Sequence, residues 1–184
     1  MKRTLGVVIA VCLVSPAIGF ADDSEQSDDD LQQPEFIPPS LRVPPGNTVL
    51  LRGLAVGVQI YDCRRTPEGS AWVFRAPQAG LFGGNVQLRA THFAGPTWQA
   101  PDGSRVVGAQ VASSNAPNPQ SIPWLLLRAA SHEGTGTFSG VTFIQRVLTG
   151  GGVAPPAQSC NAEHVGEEAR VDYIAVYFLY TAQQ

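Results

Sequence analysis

Glycine and proline recur at short intervals from Pro44 onward and leave no amphipathic stretch longer than two helical turns between them. There are 19 Gly and 15 Pro in 184 residues. Neither suits a helix interior: glycine costs backbone entropy, and proline lacks the N–H and clashes with the preceding turn. Between these breaks, apolar residues alternate with period two or cover both faces. The chain is therefore expected to be all-β with little helix. A single antiparallel β-sandwich or a partly closed β-barrel satisfies the pattern.

Strands are predicted over residues 48–63, 71–76, 86–93, 105–112, 122–130, 141–148 and 170–180. In the first, Leu54, Val56, Val58 and Ile60 share one face; Gly57, Gln59, Tyr61 and Cys63 share the other. In the third, Val86, Leu88, Ala90 and His92 share a face, so His92 ends an apolar row. Residues 122–130 and 170–180 are apolar on both faces, as in strands covered on both sides. Residues 77–85 contain three glycines and are expected to form a loop.

The start of the chain reads differently. Lys2 and Arg3 precede an apolar run, Leu5 to Val14, too short to span a bilayer. Gly19-Phe20-Ala21 supplies small residues where a signal peptidase cuts. Residues 1–21 are thus expected to be a signal peptide, and the protein exported to the periplasm or beyond. Residues 22–43 form a leader, first acidic and disordered, then proline-rich and extended on the domain surface. A single all-β domain follows over 44–184.

Removal of the signal leaves ten Arg against fifteen acids, a formal balance of −5, and no lysine at all. A Schiff-base lysine and a phosphate-loop lysine are excluded. Seven of the acids lie between Asp22 and Glu35, so the domain itself is nearly neutral. No basic footprint for nucleic acid is present, nor a transmembrane segment in the mature chain. Two cysteines remain, Cys63 and Cys160, and an exported chain with two is expected to join them.

Several motifs occur in a fixed order. They are Val58-Gln-Ile-Tyr-Asp-Cys63, Trp72-Val-Phe-Arg-Ala-Pro77, His92-Phe-Ala-Gly-Pro-Thr-Trp98, Asp102-Gly-Ser104, Ile122-Pro-Trp-Leu-Leu-Leu127, Ile144-Gln-Arg-Val147 with Thr149-Gly-Gly151, Cys160, and Tyr173-Ile-Ala-Val-Tyr-Phe178. Together they resemble an exported bacterial and fungal family, domain of unknown function 3455 (DUF3455). The resemblance covers Pro44 to the C-terminus and implies no activity. Some fungal members carry a malate dehydrogenase label, which the residues here do not support. A dinucleotide site needs Gly-x-Gly-x-x-Gly between a strand and a helix. Thr149-Gly-Gly-Gly152 is followed instead by Pro155-Pro156 and a cysteine. No cofactor is expected.

The densest chemistry lies in the stretch from Thr91 to Arg105. His92, Asp102 and Ser104 are the residue types of a hydrolytic triad, but the nucleophile elbow is missing. Asp102 and Ser104 read better as turn formers. His92, His132 and His164 have no metal-ligand spacing. No spacing identifies a carboxylate pair among Asp62, Glu68, Asp102 and Asp172. Trp72 and Trp124 fall within strands and are expected in the core. Trp98 lies between Gly95-Pro96 and Pro101, where no strand register holds it. It is therefore expected at the rim of the sheet, facing a ligand. Arg146 sits in an apolar strand and needs a carboxylate or carbonyl partner, with Asp62, Asp102 or Asp172 as suppliers. The candidate binding residues are Gln59, His92, Trp98, Asp102 and Arg146. They suit a small molecule or glycan, with a hydrolase using carboxylates or His92, or a purely structural surface protein, as alternatives.

Overall fold

The computed structural model describes residues 34–183. The expected signal peptide and the acidic stretch up to residue 33 lie outside the described residues. Eight antiparallel strands close into a barrel, each paired with its neighbours in chain order. They are β1 (Asn47–Thr66), β2 (Gly69–Phe82), β3 (Leu88–Phe93), β4 (Thr97–Gln99), β5 (Arg105–Ser114), β6 (Trp124–Glu133), β7 (Val141–Gly151) and β8 (Glu168–Ala182). Pairing of β8 with β1 completes the ring. No described helix is long and apolar enough to cross a membrane.

An eight-stranded barrel has an interior just wide enough to be filled by side chains or to hold one small ligand. Here Trp98, Phe138, Tyr173 and Tyr177 occupy much of it. Room for these rings comes from small residues on the facing strands, Ala55, Ala79, Ala90, Ala100 and Ala175. In the row of β1 that looks most like a core, Val56 turns outward and is 49% exposed, while Ile60, beside a register shift, is buried. Alternation located the strand, but the narrow interior required the smaller residues on the inner face.

Residues 77–85, expected as a loop, lie mostly in β2, which runs on to Phe82. Its glycines do not all break the strand. At Gly57, opposite Ala79, a Cβ would strike the Gln78 carbonyl and Ala79. The backbones of β1 and β2 touch there, which is a use of glycine inside strands. The proline-rich segment lies on the outside of β6, β7 and β8. Leu41 is fully buried among Trp124, Leu126, Val147 and Phe178. Gln145 Nε2 donates to the Leu41 carbonyl at 2.7 Å. This cover explains why β6 and β8 are apolar on both faces.

Cys63 and Cys160 form a disulfide, with Cα atoms 5.5 Å apart. It ties the β7–β8 connection to the end of β1 across 97 residues of sequence. Cross-linking so distant a pair restricts the unfolded chain. Cys63→Ala should therefore cost about 2–4 kcal/mol in denaturant unfolding, with Cys160→Ala on top adding little. A double variant that loses as much again would show that the two residues stabilise the fold by separate means.

Candidate functional site

Connections in an up-and-down barrel alternate between its two ends. At the lower end lie the β4–β5 turn and the β6–β7 connection. Asp102 Oδ1 accepts from the Ser104 backbone N–H at 2.9 Å and its hydroxyl at 2.6 Å. Asp102 Oδ2 accepts from the Thr137 N–H and hydroxyl, both at 2.7 Å. These bonds hold the Asp102 carboxyl well below the usual carboxylate range. Ser104 Oγ in turn accepts the Phe138 N–H at 3.0 Å, and the fully buried Phe138 ring plugs this end.

The upper end holds a cavity of about 310 Å³, within the size range of small-ligand sites. Its wall collects Gln59 of β1, His92 of β3, Trp98 of β4, Arg146 of β7 and Tyr177 of β8. Leu125 and Leu127 of β6 supply apolar surface, while Phe74 and Arg75 of β2 stand at the outside. Four of the five candidates thus converge. Asp102 does not, because β4 splits the Thr91 to Arg105 stretch and sends its second turn to the opposite end.

Trp98 is also corrected. It is 1% exposed and lies in β4, paired with His92 on one side and Val106 on the other. Three residues suffice to give it a register, so it is a wall of the cavity rather than a rim. Its ring stacks on His92, centroids 4.2 Å apart and planes 8° from parallel. The Tyr177 ring meets both rings edge-on. Gly108 makes room for the indole: a Cβ there would lie 3.0 Å from Trp98 Cζ3.

His92 is 3% exposed, and its Nδ1 lies 2.9 Å from the Thr97 carbonyl. A carbonyl only accepts, so Nδ1 carries the proton and Nε2 the lone pair. Burial, opposed by the Thr97 bond and aided by the Arg146 charge, pushes the His92 pKa down to about 3. His92 is therefore neutral at physiological pH and makes no contact with Asp102 or Ser104 that a triad would need.

Arg146 points the same way as Ile144 but is only half-buried. Its Nε and Nη2 donate to the Pro123 carbonyl at 3.1 and 2.8 Å. A carbonyl is thus the partner found, with the Tyr177 phenol beside it; none of the three suggested carboxylates pairs with it. Asp62 is engaged by Arg64 and Arg75. Two buried donors of residues that line the cavity, Gln59 Nε2 and Trp98 Nε1, have no hydrogen-bond partner. Burial pushes the Tyr177 phenol up, partly offset by Arg146.

The other sequence candidates lie elsewhere. His132 Nε2 bonds the Val141 carbonyl at 2.8 Å, and His164 Nδ1 bonds Asn161 at 2.8 Å. Among the described residues no three His, Cys, Asp or Glu side chains are grouped to hold a metal. Trp124 is core, but Trp72 is half-buried and donates to Ser159 Oγ at 2.9 Å. Tyr177, Leu125, Leu127 and Gln110 were not singled out in the sequence, although all line the cavity. The period-two row Tyr173, Ala175, Tyr177 in β8 was the available signal: rings spaced by alanine mark an inner face.

Residues 44–181 match a family described as "Protein of unknown function (DUF3455)". No curated protein and no solved structure matches the chain.

Proposed function

The chain belongs to the DUF3455 family, and we propose that it is a non-enzymatic module that binds one small organic molecule in the upper mouth of its barrel. One observation carries this reading. The interior is plugged by Phe138 at one end, yet about 310 Å³ stays open at the other. A purely structural barrel gains nothing from leaving such a volume unfilled, because unfilled space forfeits dispersion contacts. The wall combines apolar side chains with a few polar groups, the pattern of small-molecule sites. Trp98 packed flat on His92 suits a preformed wall that needs no rearrangement.

Hydrolysis has less support. Among the described residues no Asp or Glu belongs to the cavity wall, and a histidine with pKa near 3 is a poor general base at neutral pH. Placement outside the cytoplasm draws support from the Cys63–Cys160 bond, since disulfides persist in oxidising compartments.

A crystallographic soak with a library of small aromatic and alkyl fragments tests the reading. Density is expected in the upper cavity, and Leu125→Trp, which places an indole on its wall, should abolish it. A cavity that stays empty across the library overturns the proposal.

A further inference from the structure

Resting on that reading, we infer that the ligand is a small organic carboxylate, anchored by Arg146 and apolar at its other end. The argument begins with charge. Among the described residues two arginines, Arg75 and Arg146, belong to the cavity wall, and no carboxylate does. Arg75 is already matched, since Asp62 and Glu168 both pair with it. Arg146 has no ion pair among the described residues; what it meets, the Pro123 carbonyl and the Tyr177 phenol, is neutral. A half-buried guanidinium facing a cavity without a counter-charge is an anion site awaiting its anion, because isolated charge in a low-dielectric setting is costly.

The neutral groups point the same way. Gln59 is 2% exposed, and its Nε2 finds no acceptor. Trp98 Nε1 finds none either. Unmatched buried donors are few in folded proteins, and these two belong to residues that line the same cavity as Arg146. A carboxylate offers acceptor positions on two oxygens and suits the planar fork of arginine.

One unmatched cation also limits the ligand's charge. A phosphate dianion would leave a full negative charge buried, whereas a carboxylate is neutralised by Arg146 alone. Leu125, Leu127, Pro77 and Pro96 elsewhere on the wall are apolar and suit an apolar body.

The test is isothermal titration of the protein, at neutral pH, with benzoate, cinnamate, 2-naphthoate and octanoate, each beside its primary amide. The amide keeps shape and hydrogen-bonding oxygen but loses the charge. At least one acid should bind, and its amide should bind at least about tenfold more weakly, as loss of a charge-assisted pair requires. This comparison needs no variant. Arg146→Gln should then remove the preference, weakening the acid far more than the amide until the two bind alike. Arg146→Met serves if the glutamine variant does not fold.

Equal binding of acid and amide overturns the carboxylate inference and leaves the cavity as a neutral-ligand site. A preference that survives loss of Arg146 overturns its role as anchor. Failure of all eight compounds to bind, with density in the fragment soak, overturns the carboxylate inference alone. Failure in both experiments overturns the cavity as a binding site as well.

Discussion

Trp98→Ala should lower the unfolding free energy by about 3–5 kcal/mol, the range for deleting a large aromatic from a packed core. The indole is 1% exposed and enclosed on several sides. His92 covers one face, Tyr177 meets its edge, and Gly108 leaves space for the six-membered ring. None of these neighbours can collapse freely into the vacated volume. His92 is held by the Thr97 carbonyl, and Gly108 has no side chain to move. For a domain of this size the loss corresponds to roughly 10–15 °C in melting temperature. Trp98→Phe keeps a ring against His92 and removes the unpartnered Nε1–H, so it should cost much less. It should weaken binding of a ligand acceptor more than it weakens the fold. Denaturant unfolding of both variants is the measurement. If Trp98→Ala loses less than about 1 kcal/mol, the ring is not a structural wall.

The all-β architecture was legible because alternation and its breakers act locally. Every strand longer than three residues left a period-two or doubly apolar trace. What misled was the meaning of small residues. Pro77 and Gly80 look like strand breakers, yet β2 passes through both. In a closed barrel, glycine also marks where two backbones cross closely, and that is a property of the partner strand. Inner and outer faces were reversed in appearance for a related reason. Val56 and Val58 are larger than their inward neighbours Ala55 and Gly57, but the interior is filled by rings from β4, β8 and Phe138. Hydrophobicity along one strand does not reveal what the opposite strand contributes. Closure itself depends on pairing of β1 with β8, the most distant partners in the chain, and local patterns do not encode it.

The site was legible in part, for the same reasons. Gln59, His92 and Arg146 met because each occupies an inward position of a long strand. Trp98 reached the same place by a route that periodicity does not detect, since β4 has only three residues. That short strand also explains Asp102. With β4 present, the Thr91 to Arg105 stretch contains two connections at opposite ends of the barrel, so its residues cannot share one site. Asp102 and Ser104 behave as the turn formers their types suggested, and their bonds to Thr137 and Phe138 brace the plugged end.

Mild acid should destabilise the fold through His92. In the unfolded chain its imidazole takes a proton near the ordinary histidine value of 6.5, whereas in the folded barrel it does so only near 3. Between these values the unfolded state binds one proton more than the folded state, so stability falls as pH falls. The contribution is fully present above 6.5 and lost progressively down to 3. The slope is about 1.4 kcal/mol per pH unit, and the whole window amounts to about 4–5 kcal/mol. A second loss begins lower. Asp102 and Glu168 are both held below their ordinary carboxylate values, Asp102 by Ser104 and Thr137 and Glu168 by Arg75 and Arg170. Their contributions are present above the unfolded carboxylate range and disappear as pH drops through and below it. The two windows can be separated. Unfolding free energies measured from pH 7 to 5 lie above the carboxylate window, so His92→Phe, which keeps a ring against Trp98 but cannot titrate, should be nearly flat there. Its stability at pH 7 should be lower, because the bond to the Thr97 carbonyl is lost. If the unaltered protein is equally flat over this range, its buried histidine does not resist protonation.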